Sequence, residues 1–515
     1  MNGAESLVRT LVVNGVEVCF TNPGTSEMHF VAALDRVEGM RCILGMFEGV
    51  VTGAADGYYR MAGKPACTLL HLGPGLGNGL ANLHNAKKAN SGIVNIVGEH
   101  ATYHLKYDAP LTADVEGIAR PVSNWVKTAA DSKTLAADCA QAIREANEPP
   151  GQIATLIAPA DTAWGDADGP AEAAPPAPRR PAASEAVAAS ARALTGKEPA
   201  MLMLGGAALR GKALELAGRI SAKTGCRLMA EYNNSRMESG AGRVCIDRLP
   251  YVVDNALAAM KGTRQLVLAG AKSPVTFFAY PGKPSVVAPE DCVATTLASV
   301  ADDLEDSLSA LAEAVGASKT PPAQINELKR PGLPTGAVTP DGIATVLAAL
   351  LPENAVVADE SITAGRNLSA FMMNTAPHDW LQIRGGSIGW ALPAATGAAV
   401  AAPDRKIVAL EGDGSGMYTL QALWTMARAN LDVTVVLFAN RSYQILHGEL
   451  KNMGAGTPGQ RARDMLTLDR PFLDWTALAR GQGVEAARAE TLDEFAQQLK
   501  RAFARKGPYL IELVM

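Results

Sequence analysis

The residues best suited to chemistry lie near the end of the chain, between Lys406 and Tyr443. This segment reads as an apolar strand, the turn Gly412-Asp413-Gly414-Ser415-Gly416, a helix, and a second apolar strand that ends at Asn440. In open α/β sheets, ligands bind at the carboxyl ends of the strands, where both polar groups fall. A carboxylate, an amide oxygen and phosphate oxygens suit Mg²⁺, and glycines let backbone amides approach a diphosphate. Gly-Asp-Gly alone is common turn chemistry, so the predicted metal and phosphate site depends on the whole combination.

This combination resembles the motif of thiamine diphosphate-dependent enzymes, in which Gly-Asp-Gly is followed, one helix and one strand later, by Asn. The resemblance implies that Mg²⁺ is bound by Asp413, Asn440 and the main-chain carbonyl of Ser442. It also implies further contacts with the cofactor, from Gly412, Gly414, Ser415, Thr363 and Tyr443. The predicted cofactors are therefore thiamine diphosphate and Mg²⁺.

A second half of the site is expected near the N-terminus, where Glu48 opens a helix of small residues that runs to Tyr58. A lone Glu at a helix start ordinarily satisfies the helix dipole at the surface. Here the segment resembles the pyrimidine-domain motif of thiamine diphosphate-dependent decarboxylases and acetolactate synthases. That resemblance implies that Glu48 bonds the pyrimidine ring and activates the cofactor. It places five further residues beside the cofactor, Asn22, Pro23, Gly24, Gly75 and Asn78, and Thr25 beside the substrate.

The third piece is the glycine-rich segment from Gly385 to Ala395. In isolation it would be an ordinary loop before an alanine-rich helix. Together with the other two motifs it resembles the segment that bends the cofactor in this family. By that resemblance Ile388 lies under the bent cofactor and the carbonyl of Gly386 faces the aminopyrimidine.

The substrate is predicted to be a 2-oxo acid. His71 is the candidate acid/base, because benzoylformate decarboxylase has a catalytic His in the same loop. The second His of that enzyme has no counterpart between Pro274 and Tyr280, a stretch that contains Phe277-Phe278-Ala279. The Phe-Gln-Glu cluster of acetolactate synthases is replaced by Pro110-Leu111-Thr112. Three other histidines are candidates for the substrate side of the site: His100, His104 and His447.

Several functions fit these residues. The leading interpretation is an acetolactate synthase-like enzyme that decarboxylates a small 2-oxo acid, ligates the product to an acceptor, or does both. The alternatives are a decarboxylase of aromatic 2-oxo acids, a noncatalytic homologue that keeps the fold, and a flavin or nicotinamide oxidoreductase. Gly205-Gly206 follows a strand and permits a nucleotide, so FAD binding by the middle of the chain stays open.

The elements that position these residues are predicted to be parallel sheets with crossover helices, because short β-branched runs alternate with longer helical patterns throughout. Proline-rich stretches at 165–183 and 321–340 divide the 515 residues into three parts. We therefore expect an α/β chain of three doubly wound parallel-sheet domains. By the resemblance these are a pyrimidine-binding domain (1–165), a middle Rossmann-like domain (185–320) and a diphosphate-binding domain (340–515).

Composition limits the partners. The net charge is -5 with no dense Lys/Arg block, so nucleic acid is not expected. Every apolar run is interrupted short of the ~18 residues that a membrane helix needs, so no membrane partner is expected. Seven scattered cysteines without a CxxC pair predict reduced thiols and a cytoplasmic location. The resemblance implies a homodimer or homotetramer, because in the family one subunit's pyrimidine domain faces another subunit's diphosphate domain.

Overall fold

The computed structural model describes residues 1–322 and 324–515 and contains three sheets flanked by helices. The N-terminal sheet has six strands, all parallel to their neighbours, and the spatial order of these strands is 2-1-3-4-6-5. The elements of this part of the chain are α1 (Gly3–Val13), β1 (Val18–Asn22), α2 (Met28–Arg36), β2 (Arg41–Leu44), α3 (Glu48–Ala62), β3 (Ala66–Leu70), α4 (Leu72–Ala89), β4 (Ile93–Glu99), α5 (Val115–Ala119), β5 (Trp125–Thr128), α6 (Leu135–Asn147), β6 (Ile153–Pro159) and α7 (Ala160–Trp164).

The second sheet is built from the middle of the chain. The elements here are α8 (Ser184–Thr195), β7 (Ala200–Leu204), α9 (Gly211–Thr224), β8 (Arg227–Ala230), β9 (Met237–Ser239), β10 (Asp247–Arg248), α10 (Val253–Met260), β11 (Gln265–Ala269), β12 (Val293–Ala298) and α11 (Leu304–Ala314). Five of these strands form a parallel sheet in the order β10-β8-β7-β11-β12. The remaining strand, β9, joins the third sheet instead.

The third sheet has seven strands in the order β17-β18-β16-β15-β13-β14-β9. The elements of the C-terminal part are α12 (Pro340–Leu350), β13 (Ala355–Glu360), α13 (Leu368–Met372), β14 (His378–Gln382), α14 (Ala391–Ala401), β15 (Ile407–Gly412), α15 (Asp413–Gly416), α16 (Ala422–Arg428), β16 (Val433–Ala439), α17 (Gln444–Asn452), α18 (Gln460–Asp464), α19 (Trp475–Gly481), β17 (Glu485–Ala489), α20 (Leu492–Phe503) and β18 (Tyr509–Val514). Every residue of β16 is buried, as is usual for strands covered on both faces.

These sheets confirm the predicted α/β class and correct it in one respect. The prediction made all three sheets parallel, whereas β9 pairs antiparallel with β14, His378 lying opposite Ser239. A second difference concerns β1: the run from Val16 to Phe20 in the sequence predicts a strand that starts at Val16, but β1 begins at Val18. The amide of Val16 donates to the carbonyl of Leu11 at 2.9 Å and so closes α1 before the strand can start.

The two proline-rich stretches have no long regular elements among the described residues, and residue 323 lies outside them. The first stretch is hydrogen-bonded to side chains of α1 and of Asn14, the residue that caps its C-terminal end. Ala171 N–H donates to Thr10 Oγ1 at 3.1 Å, and Ala173 N–H donates to Asn14 Oδ1 at 2.8 Å. It is therefore an attached strap as well as the extended spacer expected from its prolines.

Helices α3 and α14 join the first sheet to the third. They cross closely because both carry small residues, and a Cβ on Gly397 would collide with the carbonyl of Ala54. Between them Asp56 is fully buried and accepts hydrogen bonds from Arg60, Ser91 and the indole of Trp390, the last at 2.7 Å. In the described residues, none of the helices is both long and apolar enough to cross a membrane.

Candidate active site

Glu48 is the first residue of α3 and is only 8% exposed. Its Oε2 accepts a hydrogen bond from Asn78 Nδ2 at 3.0 Å. Its Oε1 faces Gly75, where an added Cβ would lie 3.1 Å from that oxygen. The structure therefore brings three of the predicted residues together around one carboxylate, with one oxygen held by an amide.

His71 and the Gly-Pro-Gly segment lie in a different local structure from the one expected. The sequence predicted a loop here, but His71 immediately precedes α4 and its carbonyl accepts the N–H of Gly75 at 2.8 Å. The glycines thus form the first turn of an 18-residue helix. Because Gly75 and Asn78 are three residues apart on that helix, both face Glu48.

His71 has a partner that the sequence reading missed. Its Nδ1 lies 2.8 Å from Oε2 of Glu27, which also accepts the N–H of Gly24 at 2.7 Å. Burial raises the pKa of Glu27 above its usual range. Its Oε1 is buried with no hydrogen-bond partner among the described residues. A side chain on Gly24 would collide with the imidazole, which explains the glycine at that position.

The other candidates from the first sheet lie at the same carboxyl edge. Asn22 ends β1 and Thr25 begins the short 3₁₀ turn that carries Glu27. His100 follows β4, and its ring centroid lies 5.4 Å from that of His104. Nε2 of His100 is buried without a hydrogen-bond partner in the described part of the chain. His100 therefore has a ring nitrogen that is free to accept or donate a further hydrogen bond.

The diphosphate half lies at the carboxyl edge of the third sheet. Gly412 ends β15, and Asp413 opens the short helix α15 with only 4% of its surface exposed. Asp413 accepts the N–H of Gly414 at 2.9 Å and that of Arg441 at 2.6 Å. Asn440 Oδ1 accepts the N–H of Ser442 at 3.0 Å. Burial raises the pKa of Asp413 to about 6, so this carboxylate stands in a place that favours a neighbouring cation.

Side chains that precede and follow Asp413 in the sequence pack around the carboxyl edge of the third sheet. A Cβ on Gly414 would lie 2.5 Å from the ring of Tyr443, so only glycine fits there. Ser415 Oγ donates to Glu411, a carboxylate whose pKa burial raises well above its usual range. Thr363 lies in the turn between β13 and α13, and His447 lies on α17.

The segment predicted to bend the cofactor is held by a buried carboxylate. Gly386 has a positive φ of +78°, and Ile388 is partly buried. Glu360 accepts the N–H groups of Gly389, Trp390 and Ala391 at 2.7, 2.6 and 2.7 Å. Burial raises its pKa to about 7. The sequence contained no signal for this role, because Glu360 ends an apolar strand far from the segment that it holds.

Two asparagines of α4 contact both the start of α3 and the segment around Ile388. Asn82 Nδ2 donates to the carbonyls of Gly49, next to Glu48, and Gly389 at 2.8 and 3.2 Å. Asn85 Nδ2 donates to the carbonyl of Ser387 at 2.7 Å. The start of α3 and the segment around Ile388 are therefore held by one helix.

The possible nucleotide site in the middle of the chain has a different character. Gly205 follows β7, and a Cβ there would lie 2.8 Å from Oε1 of Glu231. Glu231 in turn pairs with Arg384 at 2.9 Å. Glu231 follows β8 and Arg384 follows β14, so an ion pair beside the carboxyl end of β7 connects the second sheet to the third.

Comparisons with known proteins show the family to which the chain belongs. Residues 1–120 match the family model of the N-terminal TPP binding domain of thiamine pyrophosphate enzymes, and residues 364–513 match that of the C-terminal TPP binding domain. A Mycobacterium tuberculosis protein provisionally named acetolactate synthase large subunit IlvX is 51% identical, over 100% of this chain and 99% of its own. Benzoylformate decarboxylase of Pseudomonas aeruginosa is 29% identical, over 97% of this chain and 96% of its own.

A solved structure supports the fold. The 4-hydroxybenzoylformate decarboxylase of Rhodococcus jostii RHA1, a thiamine diphosphate-dependent enzyme, superposes with a TM-score of 0.85 at 24% identity, over 99% of this chain and 98% of that one. The identity and coverage of the mycobacterial relative establish the family. The chain therefore belongs to the thiamine pyrophosphate enzymes and is a thiamine diphosphate-dependent enzyme related to acetolactate synthase and benzoylformate decarboxylase.

Proposed function

We propose that this enzyme uses thiamine diphosphate and Mg²⁺ to decarboxylate a 2-oxo acid and releases the product or ligates it to an acceptor. The observation that carries the proposal is the buried Glu48 carboxylate, held by Asn78 and packed against Gly75. When bound, thiamine diphosphate supplies the acidic thiazolium carbon and the electron sink for decarboxylation. The residues of the chain bind it, orient it and move protons.

Glu48 would hold a proton at the pyrimidine ring. Asn78 donates a hydrogen bond to one oxygen of the Glu48 carboxylate, so the other oxygen, beside Gly75, is available to a ligand. Removal of this carboxylate from bulk water strengthens its hydrogen bond to a ring nitrogen. Asn22, Pro23 and Gly24 lie at the same sheet edge and would contact the cofactor.

The metal would bind at Asp413, Asn440 and the carbonyl of Ser442. The fit rests on the donor set, because one carboxylate, one amide oxygen and one carbonyl are hard oxygen ligands that leave positions for diphosphate oxygens. It also rests on the raised pKa of the buried Asp413, since a divalent cation would offset the cost of that buried charge. The diphosphate would be surrounded by Gly412, Gly414, Ser415, Thr363 and Tyr443. The rest of the cofactor would pack against Gly386 and Ile388.

His71 would exchange a proton with the substrate carbonyl oxygen. Glu27 fixes one ring nitrogen, so the other nitrogen of His71 is oriented for the substrate. Thr25, His100, His104 and His447 would line the same space. The names of the two relatives described above favour acetolactate synthesis or decarboxylation of an aromatic 2-oxo acid.

The decisive experiment measures hydrogen–deuterium exchange at the thiazolium carbon of the bound cofactor. Glu48→Gln should slow this exchange by about 100-fold or more while cofactor binding survives. Glu38→Gln, at an exposed position before β2, is the matched control and should exchange like the parent protein. Exchange at the parent rate in Glu48→Gln with cofactor fully bound would show that Glu48 is not the activator.

Metal dependence is a separate test of the diphosphate half. Thiamine diphosphate alone should barely raise the thermal midpoint, whereas thiamine diphosphate with Mg²⁺ should raise it clearly by mass action. Asp413→Ala should abolish the joint shift. An undiminished shift in that variant would place the diphosphate elsewhere.

We further propose a cytoplasmic homodimer or homotetramer in which each site draws Glu48 from one subunit and Asp413 from another. Support comes from the family resemblance and from seven cysteines that are all free. Co-expression of Glu48→Gln and Asp413→Ala chains tests the shared site. Random mixing should restore about a quarter of the parent activity, because half of the dimers then contain one intact site. Activity no higher than that of either variant alone would place both residues in one subunit's site.

A further inference from the structure

A chain of contacts leads away from the cofactor-bending segment into the middle of the protein. A Cβ on Gly386 would lie 2.6 Å from the ring of Phe277, so that ring packs directly on the glycine. The ring centroid of Phe277 lies 5.7 Å from that of Tyr251. The hydroxyl of Tyr251 donates a hydrogen bond of 3.3 Å to Oε1 of Glu449. The path therefore runs from the expected cofactor position to a carboxylate.

Aromatic rings make up one wall of this path. Tyr232 lies 5.4 Å from Tyr251 and 6.4 Å from Phe277, and Phe278 lies 4.9 Å from Phe277, all measured between ring centroids. Phe277 and Phe278 are 43% and 46% exposed, so their faces are open to a ligand. Burial raises the pKa of Tyr251 and Tyr232, so both hydroxyls stay neutral at physiological pH.

The carboxylate at the end of this path lies on α17, which starts at the diphosphate edge. It follows directly on Tyr443, the residue that packs against Gly414. Ile445 and Glu449 are four residues apart and share one face of the helix. A molecule that follows this helix away from the cofactor would therefore pass Ile445 before it meets Glu449.

Glu449 is incompletely satisfied. Oε1 accepts the bond from Tyr251, but Oε2 is buried with no hydrogen-bond partner within residues 1–322 and 324–515. Over the same residues, no Lys, Arg or His lies within ion-pair distance of this carboxylate. A buried carboxylate oxygen without a donor costs free energy. A ligand that donates a hydrogen bond would satisfy this oxygen beside the hydroxyls of Tyr251 and Tyr280, and a positively charged donor would also balance the charge of the carboxylate.

We propose that Tyr232, Tyr251, Phe277 and Glu449 bind the far end of a 2-oxo acid whose side chain ends in a cation, such as a guanidinium or ammonium group. The inference rests on the proposed function, since it assumes that the 2-oxo group lies at the cofactor. Aromatic faces attract cations through the ring quadrupole. A charged donor would supply the hydrogen bond that Oε2 of Glu449 lacks. Pyruvate and benzoylformate are too short or too apolar to supply that donor.

The kinetic test compares three substrates on the enzyme loaded with thiamine diphosphate and Mg²⁺. These are the 2-oxo acid of arginine, 2-oxooctanoate as an uncharged chain of similar length, and 4-hydroxybenzoylformate as a neutral donor. The parent enzyme should show its highest kcat/KM with the arginine-derived acid. Glu449→Gln should lower the ratio of kcat/KM for this acid to that for 2-oxooctanoate by roughly 10- to 100-fold.

Glu305→Gln, an exposed carboxylate on α11, is the matched control and should leave this ratio unchanged. A higher kcat/KM for 2-oxooctanoate or 4-hydroxybenzoylformate in the parent enzyme would overturn the cation assignment. So would a ratio that Glu449→Gln does not change. In each case carbon dioxide release would still support the proposed function.

A binding measurement separates the two proposals completely. Isothermal titration of the loaded enzyme with 4-guanidinobutanoate should show binding at least about tenfold tighter than with hexanoate, and Glu449→Gln should abolish the difference. If no 2-oxo acid releases carbon dioxide but this preference is found, the proposed reaction fails while the cation pocket stands. Equal affinity for the two acids would refute the pocket.

Discussion

Asp56 offers a sharp test of what joins the first sheet to the third. Its side chain and that of Arg60 are 0% and 1% exposed, and the two are 2.7 Å apart. Asp56→Asn keeps the shape but leaves the Arg60 charge buried without its counter-ion, which costs about 3–5 kcal/mol. The hydrogen bond from the Trp390 indole is also weakened, at a cost of about 1 kcal/mol. We expect Asp56→Asn to lower the free energy of unfolding by about 5 kcal/mol.

Urea denaturation followed by tryptophan fluorescence measures this loss. Arg60→Met in the Asp56→Asn background removes the unpaired charge, so the double variant should recover about 2 kcal/mol relative to Asp56→Asn alone. Glu116→Gln is the matched control, because Glu116 and Arg120 form a pair of the same spacing that is 40% and 63% exposed. It should cost less than about 1 kcal/mol. If Asp56→Asn costs no more than this control, the buried pair does not stabilise the junction.

Two further predictions concern stability. Burial lowers the pKa of His378 from 6.5 to about 4. Between these pH values the unfolded chain binds the proton more readily than the folded protein, so the free energy of unfolding falls as the pH drops, by about 3 kcal/mol in total. His378→Gln should flatten that part of a profile of thermal stability against pH. Gly79→Ala should destabilise the protein by about 1–3 kcal/mol, because its Cβ would lie 2.8 Å from Thr52 Cγ2. Gly77→Ala, on the same helix with open space around it, should be neutral or stabilising in the same calorimetric measurement.

Local patterns were enough to predict most of the strands. The sequence predicts strands at 200–204, 265–269 and 433–439, and the structure has strands with the same bounds, Ala200–Leu204, Gln265–Ala269 and Val433–Ala439. Each is an apolar or β-branched run between polar residues or glycine, so its limits are set by its own composition. The pairing of Asp413 with Asn440 at one edge followed equally directly, because they end neighbouring parallel strands.

The groups that the sequence did not reveal depend on contacts between distant parts of the chain. Glu27 lies beside His71 only because β1 and β3 are neighbours in the sheet. Glu360 caps a segment that follows another strand, and Glu449 meets a tyrosine from the middle of the chain. No periodicity or motif within a single sequence marks such pairs, since each residue on its own reads as an ordinary carboxylate.

The short strand β9 has a consequence for how the chain can be divided. It covers the edge of β14, so an excised C-terminal part would expose unpaired main-chain groups and become prone to edge-to-edge aggregation. During synthesis Met237–Ser239 leaves the ribosome well before His378, its partner strand, has been made. The C-terminal sheet therefore completes its edge only with a segment that was synthesised earlier. The middle of the chain cannot be replaced by a homologous segment unless this strand is kept.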